Sequence, residues 1–185
     1  MKNLENALVS HCAPTLAGLK TASMINIAFN CPKQLDTMLK LINISLNHKG
    51  VTLRLLRVTK NRALIYVYRQ SRLIKDLNQE GVWTFLNSIG YKSPDPDACL
   101  SYLTRRINYY DGFPHEIGLF LSYPLADVKG FINNKGENCK FCGYWKVYDN
   151  EADTKALFEK YKNCTKKYSE CFKNGHSLEK LTVAA

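Results

Sequence analysis

Two runs, Val51-Thr-Leu-Arg-Leu-Leu-Arg-Val58 and Arg62-Ala-Leu-Ile-Tyr-Val-Tyr-Arg69, are separated only by Thr59-Lys60-Asn61. β-branched and aromatic residues at near-alternating positions on both sides of so short a gap specify a β-hairpin. In the second run Leu64, Tyr66 and Tyr68 face one way and Ile65 and Val67 the other. Such a hairpin needs apolar cover, and the rest of the chain supplies it at helical spacing. Leu35, Met38, Leu39, Ile42 and Leu46 predict a helix from Pro32 to Asn47 that stops at Gly50. Leu73, Leu77, Val82, Phe85, Leu86 and Ile89 predict a helical region broken at Gly81 and closed by Gly90. Asp95-Pro96-Asp97 starts another helix, with Cys99, Leu100, Leu103 and Ile107 as its buried stripe.

The segment FPHEIGLFLSYPLADVKGFI, residues 113–132, predicts two short helices around Ser122-Tyr123-Pro124, with Gly130 marking the stop. YWKVY, residues 144–148, offers a further strand. From Asn150 to Gly175 a long helix carries a seam of Leu157, Tyr161, Cys164, Tyr168 and Cys171. Near the N-terminus, Asn3 to Ser10 predicts a short helix stopped near Pro14, and HCAPTLAGLK, residues 11–20, reads as a loop. Strands and helices mix without βαβ alternation, so the class is α+β. The expected architecture is a small, mainly antiparallel sheet, hairpin 51–69 plus a strand near 144–148, covered by several helices.

At 185 residues and 45% apolar content the chain can bury one real core, and a single domain over 1–185 is expected. No run approaches the roughly 18 consecutive apolar residues of a membrane span. The first residues are too polar for the apolar core of an export signal, so a cytoplasmic location is expected. Seven cysteines, at 12, 31, 99, 139, 142, 164 and 171, are an odd number and argue against a disulfide framework. They read as thiols, metal ligands or packed core residues. A net charge of +10 favours acidic partners by long-range steering.

Cys139 and Cys142 form a C-x-x-C followed by Gly143. One reading is a metal knuckle, since the turn lets two thiolates converge on one ion. Cys164 and Cys171 do not complete it, because seven residues on a straight helix separate them by about 10.5 Å along the axis. A mixed set remains, in which Cys139 and Cys142 are joined by Cys164 and by Cys12 or His11. Another reading is a redox dithiol, although the pair precedes a strand, whereas thioredoxin-like pairs open a helix. The plain alternative is free thiols beside a strand. Cys12, His115 and Glu116 are candidates for nucleophilic chemistry if their segments meet; otherwise His115 and Glu116 serve a helix start. The basic runs at 57–62, 104–106 and 166–168 carry no helix-turn-helix, zinc-finger or RNA-recognition signature, so nucleic-acid binding is a minor reading.

Taken together, HCAPTLAGLK, RALIYVYR, FPHEIGLFLSYPLADVKGFI and CGYWKVY followed by a helix bearing YKNC resemble a bacterial family, domain of unknown function 3793. The resemblance runs through nearly the whole chain. It implies a link to anaerobic iron or flavodoxin metabolism, through gene neighbourhood rather than mechanism. On this sequence the family-like positions are His11, Cys12, Lys20, Arg69, His115, Glu116, Cys142, Trp145, Lys146, Tyr148 and Cys164. Cys139 lies outside these motifs, which moves attention from the pair to Cys12, Cys142 and Cys164.

These residues lead to one expectation and two alternatives. The expectation is a thiol-dependent metal-binding or redox accessory protein, with Cys12, Cys142, Cys164, His11 and Cys139 as ligands for zinc, iron or an iron–sulfur cluster. Trp145, Lys146 and Tyr148 are the cofactor-binding candidates, and an acidic flavoprotein such as flavodoxin is the candidate partner. The first alternative is a basic docking module for an acidic protein or nucleic acid without bound metal. The second is an enzyme using Cys12 with His115 and Glu116.

Overall fold

The computed structural model describes residues 2–184, and the chain divides into two compact units, Met1–Leu73 with Asn163–Ala185, and Ile74–Lys162. The first is built on a three-stranded antiparallel sheet in the order β1-β3-β2. Here β2 (Val51–Val58) and β3 (Arg62–Arg69) are the hairpin expected from the sequence. Its turn closes with Thr59 donating its amide to Arg62 O at 2.8 Å. A bulge between Leu55 and Arg57 shifts the register, so Leu55 is exposed while Leu56 is buried.

The third strand of this sheet was not legible in sequence. β1 (Ala22–Ala28) has Ile25 and Ile27, but Ala22, Asn26 and Ala28 are weak strand formers. Its conformation comes from pairing along β3, with Ile25 opposite Ile65. The strand expected near 144–148 is β5 (Lys146–Val147), which pairs with β4 (Phe141–Cys142) in a separate two-stranded sheet.

Helices α1 (Lys2–Leu16) and α2 (Pro32–Leu46) cover one face of the larger sheet. Leu4, Leu8, Cys12 and Leu16 from α1 and Leu35, Leu39, Ile42 and Leu46 from α2 meet Ile25, Leu53, Ile65 and Val67 in one core. Truncating one of these leucines to alanine costs about 2–5 kcal/mol. Helix α1 corrects the sequence reading, since it continues through Pro14 instead of ending before it. Proline breaks helix interiors, but Pro14 sits in the last turn. Its carbonyl accepts from the amides of Leu19 and Lys20, and Gly18, at φ +71, turns the chain out.

Arg69, at the end of β3, is only 2% exposed. Its Nε donates to Thr15 O at 2.7 Å, its Nη2 to Leu16 O at 2.6 Å and to Val183 O at 2.8 Å, and its Nη1 to Lys49 O at 3.3 Å. A cation at the last turn of α1 also complements the helix dipole. Lys49 donates to Glu179 O and Thr182 O, tying α9 (Leu178–Leu181) to the same corner.

The second unit holds α4 (Val82–Ser88), α5 (Pro96–Tyr109), α6 (Ile117–Phe120), α7 (Leu125–Asn133) and the β4–β5 hairpin; α3 (Gln70–Leu77) spans the boundary. Asp95 caps α5 as its sequence predicts, accepting from Ala98 N at 2.8 Å. Helix α8 (Glu151–Lys173) gives its first part to this unit and its second to the other. Among the described residues no helix is long and apolar enough to cross a membrane.

Replacing Arg69 by methionine removes every donor while keeping much of the bulk. Urea unfolding is expected to show a loss of roughly 2–4 kcal/mol, from the hydrogen bonds to four carbonyls that the guanidinium no longer makes. An unchanged midpoint would show that the guanidinium carries no such role.

Candidate functional site

The strongest concentration of family-like residues in one place is a pocket of about 260 Å³ in the second unit. Its walls include His115, Tyr123, Phe131, Cys142, Trp145 and Lys146. His115 comes from the turn before α6, Tyr123 from the link between α6 and α7, and Cys142 from β4. Cys142 and His115 are both exposed. The pocket therefore offers an accessible thiol and an imidazole over a mainly aromatic floor.

Asp127, on the first turn of α7, holds this arrangement. It is 2% exposed, and its Oδ2 accepts from Trp145 Nε1 at 2.8 Å. Its Oδ1 accepts from the amides of Tyr148 at 2.7 Å and Asp149 at 3.1 Å. One buried carboxylate thus locks the indole and the strand that follows it. Trp145 is clamped between Tyr123, stacked at 4.5 Å and 23°, and Phe158, edge-on at 4.5 Å. Val147 and Tyr161 complete this small core.

Two glycines permit the close approach. A Cβ on Gly130 would lie 2.5 Å from the Tyr148 ring, and one on Gly143 would lie 2.3 Å from Phe158. Gly130 is therefore a contact point inside α7, which runs on to Asn133, rather than the stop its sequence suggests.

Lys146 donates its Nζ to Gly136 O at 2.5 Å and lies 6.0 Å from the Phe131 ring. His115 meets the same ring edge-on at 4.9 Å. The Tyr148 hydroxyl is buried and has no hydrogen-bond partner among the described residues. Its pKa is raised by burial, and then by Cys139, Asp127, Cys142 and Glu137. Asn138, at φ +56, turns the chain immediately before Cys139, and the chain bends again at Lys140.

Glu116, next to His115, is 3% exposed and committed elsewhere. It pairs with Arg106 and accepts from the Tyr91 hydroxyl at 3.1 Å. Tyr91 is driven upward in pKa by burial and by that carboxylate.

The other nominated residues, His11, Cys12 and Cys164, belong to the first unit. His11 is exposed on α1. Cys12 is fully buried, and burial pushes its thiol up to about 12 despite Lys20 and a hydrogen bond with Ser23. Lys20 is 7% exposed and its amine is lowered to about 8 by burial, with Cys12 opposing. Thr15 and Ser23 share a hydrogen bond of 2.9 Å in the same neighbourhood. Burial also raises the Cys164 thiol, with Lys167 opposing. All seven cysteines are free thiols. Within each unit, no three His, Cys, Asp or Glu side chains among the described residues are placed to hold a metal ion.

These features define an α+β protein with an aromatic-floored pocket and an accessible thiol at its rim. The chain belongs to the family described as Protein of unknown function (DUF3793), which matches residues 8–182. No curated protein and no solved structure matches it. Asp127 escaped the sequence reading because one acidic residue in a first helical turn is ordinary dipole complementation. Gly130 three residues later and the aromatic-rich strand were the available hints.

The buried pair in the first unit makes stability depend on alkaline pH. Between about 8 and the ordinary lysine value of 10.5 the unfolded chain holds the Lys20 proton that the folded chain has lost, so stability rises with pH. Above the ordinary thiol value of 9.0 the unfolded chain loses the Cys12 proton first, so that contribution falls until about 12. The two together give a rise from pH 8 to 9, near cancellation up to 10.5, and a decline beyond. Urea midpoints measured across this range, with Lys20→Met losing the early rise, check the sign.

Proposed function

We propose that this chain is a thiol-dependent redox accessory protein that works through the pocket of its second unit, with Cys142 as the reacting thiol. The observation that carries the reading is that His115, from the turn before α6, lines the same pocket as Cys142, Trp145 and Lys146 of the β4–β5 hairpin. An exposed sulfur reacts as a thiolate, and a neighbouring imidazole is a natural acceptor for its proton. The aromatic floor seats the apolar part of a small substrate, while Trp145, fixed by Asp127, keeps that floor rigid. The redox arm is favoured over the metal arm by the accessibility of Cys142 at the rim.

The net charge of +10 fits an acidic redox partner, for which a flavodoxin-like flavoprotein is the proposed class. Complementary charge raises the encounter rate without requiring tight affinity. Within this reading Cys12, buried and weakly acidic, packs the core of the first unit.

Alkylation by iodoacetamide at neutral pH, followed by peptide mapping, tests the assignment. Cys142 is expected to react first, with Cys12, Cys99 and Cys164 protected until the chain is unfolded. His115→Ala is expected to slow Cys142 several-fold while leaving Cys31 unchanged. Labelling of Cys142 no faster than that of the half-buried Cys31 would overturn the reading.

A further inference from the structure

We propose that Cys139 and Cys142 form a two-electron dithiol that reduces small disulfides at this pocket, Cys142 attacking and Cys139 resolving. The inference rests on the reading of Cys142 as the working thiol and adds the substrate class and the second sulfur. Three observations carry it. Cys142 is exposed and lines the pocket, while Cys139 is half-buried, so an incoming disulfide meets Cys142 first. The left-handed Asn138 and the bend at Lys140 turn the chain on both sides of Cys139. The Tyr148 phenol is raised in pKa first by burial and then by charge on, among others, Cys139 and Cys142, which places both sulfurs in the surroundings of one side chain.

The hairpin backbone keeps the site in place. Lys140 N donates to Val147 O at 2.8 Å and Gly143 N to Trp145 O at 3.0 Å, so the two sulfurs flank a hydrogen-bonded segment. In the first step the Cys142 thiolate attacks one sulfur of the substrate R–S–S–R. A Cys142–S–S–R bond forms, the substrate S–S bond breaks, and the first RS⁻ leaves with the electron pair and takes a proton. In the second, the Cys139 thiolate attacks the Cys142 sulfur, a Cys139–Cys142 bond forms, and the second RS⁻ leaves and is protonated. The protein loses two electrons and two protons, and the disulfide becomes two thiols. The aromatic pocket favours a disulfide with a flat apolar arm, and the chain's net charge of +10 favours an anionic one.

The aromatic, anionic disulfide dithiobis(nitrobenzoate) is therefore the probe. It is added to the full-length protein in the absence of reductant, with thiol release followed by absorbance and the products followed by peptide mass mapping. The wild type is expected to release two nitrothiolates from this pair and to end with residues 139 and 142 linked. Cys139→Ser is expected to stop at a lasting mixed disulfide on Cys142. Cys142→Ser is expected to react at Cys139 at least about tenfold more slowly, because the half-buried sulfur is shielded. A wild-type protein that keeps the mixed disulfide on Cys142 would overturn the resolving role of Cys139 and leave the reading of Cys142 standing. A protein unmodified at both positions would overturn both.

Discussion

A charged side chain removed from water must find its hydrogen bonds inside the protein, and in each unit one such group sets the positions of distant segments. In the first it is the Arg69 guanidinium, whose donors are taken by carbonyls of residues 15, 16, 49 and 183. These carbonyls include the last turn of α1, where the backbone has no helical partners of its own. The planar fork of arginine reaches several acceptors at once, which a lysine ammonium does not match in geometry. In the second unit the Asp127 carboxylate plays the corresponding part, drawing in one indole N–H and two backbone amides.

That carboxylate links the packing of the second unit to its pocket. Trp145 has little freedom, with Tyr123 and Phe158 on its ring and Asp127 on its nitrogen. Its neighbours Cys142 and Lys146 sit on paired hairpin positions, so fixing the indole also fixes the register of the thiol. Gly130 and Gly143 let Tyr148 and Phe158 pack against the backbone. The pocket is therefore a by-product of tight packing on either side of it, and its shape does not depend on a long loop.

Periodicity made much of this architecture legible. The hairpin, α2, the Asp95-capped α5 and the long α8 are elements whose apolar spacing and local caps agree with their tertiary surroundings. The misses share a different cause. β1 is a strand because β3 lies beside it, α1 passes Pro14 because only its final turn is affected, and Gly130 is needed for contact instead of for termination. In each case a partner distant in sequence decides the outcome. For the site, His115, Cys142, Trp145 and Lys146 were nominated from family-like motifs and line one pocket. Asp127 and Tyr123, which position them, have no signature outside the folded state.

The contrast between Cys12 and Cys142 shows why a motif cysteine need not be a working one. Thiol chemistry proceeds through the thiolate, and a group pushed up to about 12 holds only about one part in 100,000 of it at neutral pH. Full burial in the α1 core also denies Cys12 a path to any substrate. Its neighbour Lys20, lowered to about 8 by the same burial, shows that the low polarity of the site acts on both charges. The bulk of a small apolar side chain is what that position requires. Cys142 is exposed, and the aromatic floor, the imidazole and a second sulfur three residues away are within the same unit. The proposed reactivity therefore falls to the exposed cysteine and not to the most tightly packed one.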